Sequence, residues 1–296
     1  MISKIRQIQS IIRDHRKNKY LSYKQCFVNI YKNKKTKYQI RSIDFYKKHK
    51  TSNTIFILGN GPSLNLLEQS HLATINSNNS FGVANSFLKK EIIPTYHLFS
   101  WENDYISLNV KAKNFSQYRK SYQDTIMMLN SKALFRLSHP LTTDFMFPQN
   151  PKCCFFWEQK AITIHEDRLF TDNDFTESLA YRGTLSVVLD LAVKLNYTNI
   201  ILLGVNLDSW EYFYQHMPEM KEVLAKTYES AHGVKNVTEE KMQYVGMYTR
   251  DGKPHTLDSY LYAVKDYLQR KKNINLFIDF KNNSLYPKLP AYFDTE

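Results

Sequence analysis

The sequence predicts an α/β chain built on a mostly parallel sheet with helices on both faces. Three observations predict it. Short apolar runs recur along the chain, they alternate with stretches of helical periodicity, and several of them end in Gly, Asn or Ser.

The elements follow in order. Met1, Ile5, Ile8 and Ile12 recur at helical spacing, with Lys4, Arg6, Arg13, Arg16 and Lys17 on the other face, which reads as a basic amphipathic helix. Thr54 to Leu58 reads as a buried strand that runs into Gly59-Asn60-Gly61-Pro62-Ser63, and Leu66, Leu67 and Leu72 suggest the helix after it. Ser80 to Ala84 and Tyr96 to Ser100 read as the next strands, with Thr125 to Leu129 and Ala133 to Leu137 as further ones. Residues 151–180 read as irregular and aromatic. Leu185 to Leu195 predicts an apolar helix, Asn199 to Leu203 a strand closed by Gly204-Val205-Asn206, and Asp258 to Lys271 an amphipathic helix. Asn275 to Ile278 is the last strand expected. Residues 209–252 are polar and aromatic without a readable period, which suggests a small lid. The whole is Rossmann-like, so a ligand is expected beyond the carboxyl ends of the strands.

At 296 residues, with 43% hydrophobic and 23% charged, the chain suits one large globular domain, or one plus a subdomain, and not a disordered one. Cys26, Cys153 and Cys154 form neither a disulfide framework nor the paired spacing of a zinc site. No apolar run approaches the ~18–20 residues needed to span a bilayer, and no secretory leader is evident. A reducing, cytoplasmic setting is expected. The net charge of +12 is unevenly placed: residues 1–50 hold 15 Lys/Arg against 2 Asp/Glu. The body is therefore close to neutral, unlike a nucleic-acid enzyme with a basic groove. The expected division is a basic helical arm, 1–50, and an α/β domain, 51–296. The arm is suited to the anionic inner face of a membrane and equally to a subunit interface in a homo-oligomer.

Gly59-Asn60-Gly61-Pro62-Ser63 carries the most chemistry. Two glycines permit a positive φ and a ligand against bare backbone, Pro62 suits a first helical turn, and Ser63 offers a hydroxyl beside free helix N–H groups. It is neither a dinucleotide G-x-G-x-x-G nor a P-loop. Asn85-Ser86, Ser100 and Gly204-Val205-Asn206 repeat the small and amide residues at other strand ends.

On these residues the chain resembles the bacterial sialyltransferases of glycosyltransferase family 42, which use CMP-activated sialic acid. Gly59 to Leu64, Asn85-Ser86-Phe87, the helix–strand unit from Thr184 to Asn206, and His255 followed by Asn283-Ser284-Leu285 stand in the family's order and spacing. The resemblance covers roughly residues 53–288. It implies a variant GT-A type fold with a lid, and a metal-independent transferase with no cofactor. Its partners would be a CMP-activated sugar as donor and an oligosaccharide or glycolipid of the bacterial surface as acceptor. By position, Gly59, Asn60, Gly61 and Ser63 would hold the phosphate and ribose, Asn85 the cytidine part and Thr184 the phosphate region. His255 would be the general base. Two positions depart. Arg182 stands one place from the family's arginine, although it remains a candidate partner for the sugar carboxylate. Asp208 replaces a tyrosine, leaving Tyr212 and Tyr214 as the nearest groups for the leaving phosphate. Such departures suit a related nonulosonic acid or Kdo as readily as sialic acid.

Other signals compete. Asp172-Asn173-Asp174 has the spacing of a metal-binding pair or, equally, of a helix cap. His232 rivals His255 as base, and His165-Glu166-Asp167 reads as a surface cluster. His97, inside an apolar strand, reads as a core residue. A pyrophosphokinase-like or flagellin-modifying transferase, or a non-catalytic nucleotide- or glycan-binding module, is the alternative.

Overall fold

The computed structural model describes residues 43–99, 115, 117–118, 120–130, 154–156, 158–160, 170, 178–180, 183–209, 211–217 and 256–293. The strands are β1 Thr54–Leu58, β2 Asn79–Val83, β3 Tyr96–Phe99, β4 Ile126–Asn130, β5 Cys154–Phe156, β6 Glu158–Lys160, β7 Ser178–Ala180, β8 Asn199–Leu203 and β9 Asn275–Ile278. The helices are α1 Ile43–Lys47, α2 Gln69–Asn76, α3 Gly183–Lys194 and α4 Leu257–Tyr267. Seven strands make one sheet in the order β5-β4-β3-β2-β1-β8-β9, and β6 pairs with β7 in a second. Every pairing is parallel. The chain thus winds outward from β1 through β2 to β5, then returns to the other side of β1 for β8 and β9. The expected α/β fold with a parallel sheet is what forms.

β1 lies between β2 and β8 in the sheet, and packed layers cover both its faces. Ile55, Phe56, Ile57 and Leu58 are all fully buried, which is why the strand reads as a continuous apolar run instead of an alternating one. Successive side chains still enter different layers. Ile55 and Ile57 join Ile200 and Leu202 of β8, Val187, Val188 and Leu191 of α3 and Leu261 and Val264 of α4. Phe56 and Leu58 join Ile201 and Leu203, Leu72 and Ile75 of α2, and Phe280 and Phe293.

Four local expectations change. The segment after β1 is not one helix: a 3-10 turn, Pro62–Leu66, precedes α2, whose capping box is formed by Glu68 and His71. Residues 151–180 contain β5, β6 and β7, strands of three residues that are too short to show a period. The amphipathic helix continues past α4 as a π-helical turn, Leu268–Lys272, closed by the left-handed Asn273. Finally α1, counted with the arm by composition, is docked on the body. Tyr46 is fully buried, and its carbonyl accepts the Tyr96 hydroxyl at 2.8 Å. Residues 1–42 of the arm, the strand expected at 133–137 and most of the lid, 218–252, lie outside the described residues.

Burial pushes the Tyr96 hydroxyl up to about 12. Burial also raises Tyr122 and Tyr197. The fold holds these groups neutral, whereas an unfolded tyrosine ionises near pH 10. Their contribution is therefore complete below about pH 10 and is lost as pH rises toward about 12. In an alkaline titration, loss of far-UV circular dichroism and the last tyrosinate absorbance are expected together, above pH 10. Full ionisation of all 21 tyrosines in an intact fold would contradict this.

Candidate functional site

The winding direction reverses between β1 and β8, and an open parallel sheet offers its crevice beyond the carboxyl ends at such a point. Here the two strand ends close directly on each other. The Gly59 N–H donates to the Leu203 carbonyl and the Gly61 N–H to the Gly204 carbonyl, each at 2.7 Å. A Cβ on Gly59 would lie 2.3 Å from the Gly204 oxygen, and one on Gly61 would lie 2.4 Å from Asn206 Oδ1. Close approach of two backbones, and not a positive φ, is the reason for both glycines; Gly61 has φ −73°. The left-handed positions at these strand ends are Gly204, φ 63°, and Ala84, φ 51°.

Ser63 is buried, and it does not face outward as the sequence suggested. Its N–H donates to Asn206 Oδ1 at 3.2 Å, and its hydroxyl donates to Asp279 Oδ2 with its oxygen 2.8 Å from Asn206 Oδ1. The Leu64 N–H turns back to the Gly61 carbonyl, and Pro62 has none to give. The amides of Gly59, Gly61, Ser63 and Leu64 are thus used within the fold, so the expected row of free helix N–H groups is not formed.

Asp279, just past β9, carries no signal that the sequence alone makes readable. Its Oδ2 accepts the Gly204 N–H at 3.0 Å in addition to Ser63, and its Oδ1 accepts the Phe280 N–H and Asn283 Nδ2, both at 3.0 Å. Asn283 Nδ2 also donates to the Val205 carbonyl at 3.1 Å, and Asn283 Oδ1 accepts the Leu285 N–H. The turns after β1, β8 and β9 form one network around this carboxylate. A lone acidic residue at a strand end in Phe277-Ile278-Asp279-Phe280 gives little warning of it.

Two asparagines follow β1 and β2 at this end of the sheet. The Oδ1 atoms of Asn60 and Asn85 are buried and take no hydrogen bond from the described residues. Both asparagines are held by the chain that follows β8: the Asn60 carbonyl accepts the Phe213 N–H at 3.0 Å, and Asn85 Nδ2 donates to the Tyr214 hydroxyl at 2.9 Å. Tyr214 is buried, and Tyr212 stacks on it with centroids 5.1 Å apart and planes 1° apart. Tyr212 is the exposed partner. By contrast Asn79, at the opposite edge of the sheet, is fully partnered. It accepts the Thr51 and Ser52 N–H groups and donates to the His49 carbonyl and Thr95. A buried acceptor without a donor costs about 1–3 kcal/mol, so the Asn60 and Asn85 oxygens at the carboxyl edge leave room for a donor that Asn79 does not need.

Of the other expected residues, Gly204 and Asn206 stand in the network above, Thr184 is half-buried in the first turn of α3, and Asp208 is exposed. His97 is fully buried, its Nε2 3.2 Å from the Ala84 carbonyl and its Nδ1 beside Gly82, as a core histidine would be. Ser100, Arg182, His232 and His255 lie outside the described residues, as do Asp172, Asp174 and the cluster His165-Glu166-Asp167.

No protein-family model and no curated protein matches the sequence. Among solved structures the chain is similar to a tyrosine-to-phenylalanine variant of the sialyltransferase CST-II in complex with CMP. The TM-score is 0.45 and the identity 15%, over 80% of this chain and 85% of that one. It is also similar to CST-II in complex with trisaccharide acceptor and CMP, at TM-score 0.42 and 12% identity over the same shares. The fold assignment itself rests on the strand order and register given above.

Proposed function

We propose that the chain is a glycosyltransferase that moves sialic acid, or a related nonulosonic acid or Kdo, from a CMP-activated donor to a glycan hydroxyl. The observation that supports this reading is convergence. The strings Gly59–Ser63, Gly204–Asn206 and Asn283–Leu285 are far apart in sequence yet share one hydrogen-bond network. Asn85 joins them through the segment that also holds Asn60. A cytidine nucleotide carries an amino group and ribose hydroxyls, the donors that the Asn60 and Asn85 carbonyl oxygens call for.

In this reading His255 takes the proton of the acceptor hydroxyl as its oxygen bonds to the anomeric carbon, and the bond from that carbon to the phosphate breaks with CMP leaving. A single displacement of this kind inverts the anomeric centre. Tyr212 and Tyr214 donate to the departing phosphate and Arg182 pairs with the sugar carboxylate, so that these side chains take the place of a metal. Residues 1–42 of the basic arm rest on the anionic inner face of the membrane, where glycolipid acceptors are built, while α1 stays docked on the body.

A thermal-shift panel with CMP, UDP, GDP and ATP, each with magnesium or EDTA, tests the donor class. A ligand at 100 times its Kd adds about 2.7 kcal/mol, so a shift with CMP that EDTA leaves unchanged is expected. Asn85→Ala should weaken it, and His255→Ala should keep the shift while losing turnover of a CMP-sugar. A magnesium-dependent shift with ATP or UDP, and none with CMP, would favour the pyrophosphokinase-like alternative.

A further inference from the structure

Asp279 is 1% exposed and takes hydrogen bonds from four neutral groups: the Ser63 hydroxyl, the Gly204 N–H, the Phe280 N–H and Asn283 Nδ2. No cation accompanies it among the described residues. A carboxylate accepts on both oxygens from several directions, and no neutral side chain of that size accepts four bonds without donating any. The bonds run across the sheet. Asp279 holds Gly204, Gly204 holds Gly61 through its carbonyl, and Gly59 and Gly61 flank Asn60. On its other branches Asp279 holds Ser63, which holds Asn206, and Asn283, which holds the Val205 carbonyl.

We propose that Asp279 is a positioning residue, whose carboxylate clamps the turns after β1, β8 and β9 so that Asn60 is presented to the donor nucleotide. The clamp rests on the geometry above, and its ligand rests on the donor reading of the preceding subsection. Asp279→Asn keeps the shape of the side chain but turns a donor toward either the Gly204 and Ser63 pair or the Phe280 and Asn283 pair.

Two measurements on the full chain test this. Calorimetric titration with CMP is expected to show at least tenfold weaker binding by folded Asp279→Asn. Hydrogen exchange followed by mass spectrometry is expected to show faster exchange in peptides covering 59–63 and 203–206. Val264→Ala, a cavity variant in α4 on the other face of the sheet, serves as the control for general destabilisation. It should bind CMP within twofold of wild type and keep those peptides protected. If Asp279→Asn does not fold, Ser63→Ala removes one branch of the clamp and should speed exchange in the same peptides. Unchanged exchange in the folded variant overturns the clamp, and unchanged CMP affinity overturns its role in binding. Wild-type protein that binds no CMP sinks the donor reading instead, and exchange alone then decides the clamp.

Discussion

Asp190→Ala is expected to lower the unfolding free energy by about 3–5 kcal/mol, which corresponds to a fall of roughly 10 °C in Tm. Asp190 and Lys194 lie one turn apart on α3 and form an ion pair at 2.9 Å, with side chains 0% and 5% exposed. The rest of that stretch of helix is buried among apolar residues of the core. Two charges removed from water are tolerated only while they compensate each other. Truncating Asp190 strips the Lys194 ammonium of its ion pair at a site where water cannot replace it. The paired replacement Asp190→Leu with Lys194→Met removes both charges at similar volume, and should restore most of the loss. Thermal denaturation of both variants checks the argument. A single variant as stable as wild type, or a double variant less stable than the single one, would show that burial of the pair does not control its energetics.

Gly59→Ala is expected to have the second largest effect, on the site as well as on stability. Its Cβ would meet the Gly204 carbonyl oxygen at 2.3 Å and the carbon at 2.9 Å. Both are backbone atoms, so no side chain can turn aside. The ends of β1 and β8 must separate, which weakens the bonds from Gly59 to Leu203 and from Gly61 to Gly204 and displaces Asn60. Overpacking of this kind costs about 1–3 kcal/mol, sometimes more. A loss in the upper part of that range is expected, together with loss of the CMP-induced thermal shift. Gly183→Ala is the informative comparison. Gly183 has φ 66°, and nothing lies within 4 Å of the place a methyl would take there, so its replacement should cost only the ~1–2 kcal/mol of a left-handed L residue. Equal effects at the two positions would mean that conformation, and not contact, governs Gly59.

Six of the seven strands of the main sheet were legible, most clearly Ile55 to Leu58 and Ile200 to Leu203, which are unbroken apolar runs with glycine after them. β5, β6 and β7 were not, since three residues carry no periodicity. The string from Gly59 to Ser63 marks the end of β1, but its two glycines serve a different purpose from the one read into them. A glycine that makes room for a ligand and a glycine that makes room for a neighbouring strand are spelled alike, and only the 2.3 Å contact separates them. The apolar helix from Leu185 to Leu195 was legible, but the buried pair Asp190–Lys194 inside it was not singled out. Asp279 left no comparable mark, because its four partners come from turns that sequence spacing cannot bring together. The side chains at the crevice were found as types, asparagine and tyrosine. The unmet acceptors of Asn60 and Asn85 depend on how the segment 211–217 folds over them.

The order of strands also bears on how the molecule assembles. β1 pairs on one side with β2, a short step along the chain, and on the other with β8, where Thr54 and Asn199 are 145 residues apart. Closing so long a loop carries an entropic penalty before any contact repays it, and topologies rich in such pairings fold slowly. The half-sheet from β1 to β4 gains its partners early in the chain. The crevice has its second wall only after β8 arrives, and the Asp279 branch only after β9. The completed chain is therefore needed to set the crevice: a nascent or clipped molecule that ends before β9 would keep Asn60, Asn85 and the 211–217 segment that holds them, but not the Asp279 carboxylate that ties the turns after β1 and β8 together.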